Sequence, residues 1–163
     1  MTFKKNGKFV LGIKTDKGIL DVETTCESLG ADQSLGSLTV RGVIERGNEA
    51  LQQLQWLVDR AADQKENATF FLDESAIEFG PCVEKPGKII CVGLNYRKHA
   101  LETNSPIPEY PVLFNKFNNT ITAHRAVIQI PKETDKLDYE AELVIVIGQK
   151  TKRVPKDLAL DHV

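Results

Sequence analysis

The chain has 163 residues, enough for one domain or for one domain with a small companion. Its 21 Lys and Arg stand against 23 Asp and Glu, a formal charge of −2 with a pI near 5.9, which excludes an electrostatic footprint for nucleic acid or an anionic membrane surface. With 41% hydrophobic and 27% charged residues it is not a mostly disordered chain, and no run approaches the ~18 apolar residues of a membrane span.

In chain order, no apolar signal core follows the first six residues, so export is not expected and a cytoplasmic location is. Phe9–Lys14 and Gly18–Val22 read as short strands joined at a Thr15–Gly18 turn, a hairpin. Residues 48–63 read as a helix, with Asn48 as N-cap and Leu51, Leu54, Leu57, Val58 and Ala61 at the spacing of one buried face. Trp56 falls off that stripe, where it suits an edge or a partner surface. Nothing in this half looks chemical. Its runs are too short for a large core and predict a small α+β domain over residues 1–80. The Gly80-Pro81 to Pro86-Gly87 punctuation separates it from a second domain, residues 81–163.

That second domain reads as β-rich. Lys88–Gly93 is a continuous apolar run typical of a buried strand, followed by Pro111–Phe114 and by Ala126–Pro131, the latter stopped by its proline. Leu137–Gly148 is the clearest strand, with acids at alternate positions and then unbroken aliphatic residues entering a core. From Pro155 a helix begins, and the chain stops at Val163 with neither cap nor polar tail, which predicts the front part of a longer protein. Cys26, Cys82 and Cys91 form no CxxC pair and are expected as reduced thiols without a role.

Three groups of residues carry chemistry. Asp138, Glu140 and Glu142 stand at i, i+2 and i+4, so a strand turns all three carboxylates to one face. Such crowding suits a hard divalent cation, Mg²⁺ or Mn²⁺, although a solvated strand end shows the same spacing. His99 and Glu102 stand at i, i+3, where a carboxylate orients an imidazole as in a general-base dyad; an exposed surface pair is the plainer alternative. The proline-rich stretch after them suits a loop that covers a site. Lys116 follows a strand, placed either to hold an anionic substrate or simply to meet solvent. His124 and His162 are ordinary histidines on this reading.

Taken in order, Ile90–Glu102 with its Asn95-Tyr96-x-x-His99-x-x-Glu102 pattern, Pro111–Lys116 and Asp138–Gly148 resemble the fumarylacetoacetate hydrolase family. The likeness covers residues 86–163, and the front part looks like the smaller N-terminal domain of bacterial members. The resemblance implies an α+β, β-rich fold in which the second domain is the first part of a mixed β-sandwich or β-roll, usually in a homodimer. It implies cleavage or rearrangement of β-diketo and 2-oxo acids with Mg²⁺ or Mn²⁺. Glu140 and Glu142 take the place of the family's metal-binding carboxylates. His99 and Glu102 take that of its base dyad on a lid, and Lys116 that of a lysine near the substrate. Asp138 is not carried over as a ligand. The family's third metal-binding aspartate belongs to a later segment, beyond Val163. The leading expectation is therefore a metal-dependent hydrolase, decarboxylase or isomerase of small 2-oxo or diketo acids. A truncated, non-catalytic binding or dimerisation module with an incomplete metal site is the alternative.

Overall fold

A computed structural model describes residues 1–64 and 69–163. Asn6 and Gly7 both take positive φ, 50° and 78°, which is the two-residue turn whose twist matches flanking strands. It joins β1 (Thr2–Lys5) to β2 (Lys8–Thr15), with Lys5 opposite Lys8. The expected hairpin follows: β2 pairs with β3 (Gly18–Asp21) around Asp16 and Lys17, with Thr15 opposite Gly18. Gly18, at φ 121°, is required there, because a β-carbon would lie 2.6 Å from the carbonyl oxygen of Leu72. β4 (Phe71–Leu72) and β5 (Glu78–Phe79) complete an antiparallel sheet of order β4-β3-β2-β1-β5.

Four helices cover this sheet, and side chains cap three of them. Asp21 accepts from the Thr24 N–H to start α1 (Val22–Leu29), which ends at Gly30 in the left-handed region. Asp32 caps α2 (Gln33–Gly36) and Thr39 caps α3 (Val40–Arg46). α4 (Asn48–Ala62) lies where a helix is expected, but Asn48 is inside it. Gly47 is the N-cap, at φ 58° and ψ −133°, a conformation open essentially to glycine alone that reverses the chain directly from α3. The buried stripe is also rotated from expectation. Ala50, Leu54, Leu57 and Ala61 face inward, whereas Leu51 is 55% exposed. Trp56 is exposed, as its position off the stripe predicts. Leu11, Val22, Cys26, Leu35, Leu54 and Leu57 form the main cluster, and Leu20, Ala61 and Phe70 a second. Each such large aliphatic chain stabilises the fold by about 1.5–3 kcal/mol.

In the second half, β6 (Ile89–Gly93) pairs antiparallel with β7 (Val112–Lys116), Ile89 opposite Lys116 and Gly93 opposite Val112. The six-residue α5 (Arg97–Glu102) lies between them. Short 3₁₀ turns follow at Asn118–Thr120 and Lys156–His162; the second replaces the α-helical start expected after Pro155. The expected strands Ala126–Pro131 and Leu137–Gly148 do not form. A strand exists only by pairing, and among the described residues β6 and β7 pair with each other alone, leaving these segments no ladder to join. Leu143 and Val144, expected in a core, are 82% and 80% exposed. The core sits in the first half instead, and Ala100 is the buried hydrophobic residue that the second half contributes among those described. The architecture as a whole is α+β.

Candidate active site

The site is built on α5. β6 ends at Gly93, and Leu94, at φ 52°, turns the chain so that Tyr96 can serve as N-cap. The first helical bond runs from the Ala100 N–H to the Tyr96 carbonyl, 3.1 Å. The far end is closed by the Thr103 hydroxyl donating to the His99 carbonyl at 2.9 Å and by the Ser105 N–H donating to the Ala100 carbonyl at 2.8 Å. With Ala100 buried on one side, the helix turns His99 and Glu102 outward together.

His99 stands between two carboxylates. Glu102 Oε2 is 3.9 Å from its Nδ1, and Glu140 Oε1 is 3.5 Å from its Nε2. Both contacts are longer than an ordinary hydrogen bond. The imidazole is 42% exposed and both carboxylates more so, which leaves the group open to a ligand and makes the pairs themselves worth little to stability. A further tie joins the same two segments: the Leu143 N–H donates to the Tyr96 hydroxyl oxygen at 3.0 Å. The chain thus brings His99, Glu102 and Glu140 together. Glu142 lies two residues further on and is exposed. Asp138 turns to its own neighbour, accepting from the Tyr139 N–H at 2.8 Å, so the three acids do not share one strand face. Lys116 is the exposed last residue of β7. Tyr96, which stands inside the recognised pattern, is the member to which sequence reasoning gives no role.

Glu140 and Glu142 offer open, hard oxygen donors whose chemistry fits a small divalent cation as two of its ligands. Among the described residues no third His, Cys, Asp or Glu joins them in a metal-holding cluster. The remaining candidates are structural. His124 packs edge-on against Phe79 at 5.1 Å, and the His162 carbonyl accepts from the Gly148 N–H at 2.8 Å. Cys26 is buried, and that burial pushes its thiol pKa up, which makes it inert. No helix among the described residues is long and apolar enough to cross a membrane.

Residues 88–163 match the fumarylacetoacetate (FAA) hydrolase C-terminal family. Over 124 residues, 76% of the chain and 37% of the relative, the sequence is 40% identical to the mitochondrial oxaloacetate tautomerase fahd2 of Xenopus laevis. It is 33% identical to oxaloacetate tautomerase YisK of Bacillus subtilis across 97% of the chain and 54% of that protein. A crystal structure described as an HpcE protein from Mycobacterium smegmatis superposes with a TM-score of 0.65 at 25% identity, covering 99% of this chain and 50% of that one. The chain therefore spans about half the length, or less, of these relatives. With the family's sequence over residues 88–163 and a likeness in fold over nearly all of the chain, the second half belongs to the fumarylacetoacetate hydrolase family.

Proposed function

We propose that the chain forms part of a divalent-metal-dependent enzyme acting on small 2-oxo or β-diketo acids, residues 1–80 being a small separate domain and residues 81–163 the N-terminal portion of the catalytic one. The observation that carries this reading is the imidazole of His99 flanked on its two nitrogens by Glu102 and Glu140. Two relatives named oxaloacetate tautomerase make the keto–enol interconversion of oxaloacetate the first reaction to test. Hydrolysis of a C–C bond and decarboxylation call on the same groups.

Glu140 and Glu142 would hold Mg²⁺ or Mn²⁺, which supplies Lewis-acid polarisation of a keto oxygen when bound. His99 moves the proton. It takes one from the carbon beside the keto group and returns it at the oxygen, or the reverse, while Glu102 orients the ring and balances its charge when protonated. Lys116 supplies a cation for a substrate carboxylate. The proline-rich segment that follows α5 covers the site. The free cysteines suit a reducing compartment, the cytoplasm, and the exposed apolar residues of the second half suit a homodimer.

The test is Mn²⁺-dependent loss of the enol absorbance of oxaloacetate. His99→Ala should lower turnover by at least ~10²-fold with Mn²⁺ affinity intact, while Glu140→Ala and Glu142→Ala should abolish Mn²⁺ binding. A fall in Mn²⁺ affinity with His99→Ala would remove His99 from the base role. A second reading, a non-catalytic binding or dimerisation module with an incomplete metal site, is favoured by the lack of a third metal-ligating group among the described residues. Wild-type protein that binds no Mn²⁺ at micromolar concentration would establish it.

A further inference from the structure

We infer that Tyr96 is a positioning residue, whose hydroxyl ties the Glu140–Glu142 segment to the helix that carries His99 and Glu102. The inference rests on the reading of those two glutamates as a metal-holding pair, and it adds a residue whose part that reading leaves empty.

Its basis is geometric. The Leu143 N–H donates to the Tyr96 hydroxyl oxygen at 3.0 Å, across 47 positions of sequence. Among the described residues this is the hydrogen bond that links backbone 139–147 to another element; the Tyr139 N–H bonds only the neighbouring Asp138 side chain. The segment forms no ladder, and its next backbone tie is at Gly148, whose N–H donates to the His162 carbonyl at 2.8 Å, beyond both carboxylates. A second anchor is the contact between Glu140 Oε1 and His99 Nε2, 3.5 Å. Tyr96 caps the start of α5 and His99 lies in its first turn, so both anchors sit at the N-terminal end of that helix. On the segment they fall at 140 and 143, with Glu142 between them. A carboxylate pair held in this way need not give up the freedom of an untethered loop when it takes a cation, and that difference appears as affinity.

The hydroxyl is separable from the helix it serves. Tyr96 caps α5 through its backbone carbonyl, which accepts from the Ala100 N–H, and no side-chain bond caps that end. Removing the hydroxyl alone therefore leaves α5, the ring and the His99–Glu102 pair in place.

The experiment is Tyr96→Phe, compared with Glu140→Gln, Glu142→Gln and wild type. Mn²⁺ affinity is read from the electron paramagnetic resonance of free Mn²⁺, and hydrogen exchange of the Leu143 amide by NMR without metal. The inference expects Tyr96→Phe to weaken Mn²⁺ binding at least tenfold and to speed Leu143 exchange at least tenfold, with an unchanged thermal midpoint. Mn²⁺ affinity unmoved by Tyr96→Phe but lowered by the two glutamate variants would overturn it and leave the metal reading standing. If neither glutamate variant weakens Mn²⁺ binding, the metal reading fails. Leu143 exchange then decides alone, faster exchange in Tyr96→Phe supporting the tether and unchanged exchange overturning it.

Discussion

Asp21 does two jobs at one corner of the first sheet. Its carboxylate accepts from the Thr24 N–H at 3.0 Å and from the Thr24 hydroxyl at 2.7 Å, and it pairs with the Lys5 ammonium at 2.9 Å. Lys5 also reaches Glu23 at 2.9 Å and donates to the Thr24 hydroxyl at 2.7 Å. Asp21→Ala removes a helix cap and takes one of two carboxylates from a partly buried ammonium. It should cost about 2–3 kcal/mol, measured by urea unfolding. The same corner sets a pH dependence. Burial works against the charged lysine, but hydrogen bonds and attraction from Asp21 and Glu23 outweigh it, and its pKa is raised. The stability this contributes is fully present below the ordinary lysine pKa and is lost as pH climbs through the raised one. Unfolding titrations should therefore show stability falling in the strongly alkaline range, and Lys5→Met should remove that part of the slope.

The thiols give a second check at this scale. Cys82 is exposed and Cys26 is buried with its pKa pushed up, so a thiol reagent followed by mass spectrometry should label Cys82 in the native protein and Cys26 only after unfolding. The sequence shows three lone cysteines, but which of them reacts depends on packing that no spacing reveals.

At the scale of elements, α4 shows what periodicity conveys and what it omits. The i, i+3, i+4 recurrence of Leu54, Leu57 and Ala61 identifies a helix and its inward side. The phase of the stripe is marked by its smallest member, since Ala50 is fully buried and Leu51 is 55% exposed. Leu54→Ala should cost about 2–5 kcal/mol and Leu51→Ala no more than about 0.5 kcal/mol in urea unfolding. An equal loss at both positions would put the stripe where the pattern first suggests. β1 was legible in principle, because Asn6-Gly7 is a strong hairpin cue, but only four residues precede the turn beyond Met1. The His99–Glu102 pair is local and readable from its i, i+3 spacing. The contact of Glu140 with His99 and the bond from Leu143 to Tyr96 join distant segments, and no local rule predicts them. Leu137–Gly148 fails in the opposite direction: its residues suit a strand, but a strand also needs a neighbour.

At the scale of the molecule, the two halves differ in what holds them. The first has a five-stranded sheet, capped helices and a buried core, whereas beyond β7 the backbone of residues 121–155 forms no helix or strand and exposes Val127, Ile128, Leu143, Val144 and Ile145. Local opening costs least where backbone hydrogen bonds and buried contacts are fewest. Trypsin should therefore cut at the exposed Lys132 and Lys136 before Arg60, which is also exposed but held in the α4 backbone. The order of fragments by mass spectrometry measures this, and early cleavage at Arg60 would contradict it. The same digest tests the proposed homodimer. An interface that covers the apolar run 143–147 should slow cleavage at Lys136 as protein concentration rises, because association binds the closed form by mass action. Cleavage at Arg60, inside a helix already complete within one chain, should not respond. Equal rates at Lys136 across a hundredfold range of concentration, roughly 2.7 kcal/mol of mass action, would place that apolar run outside any self-association surface.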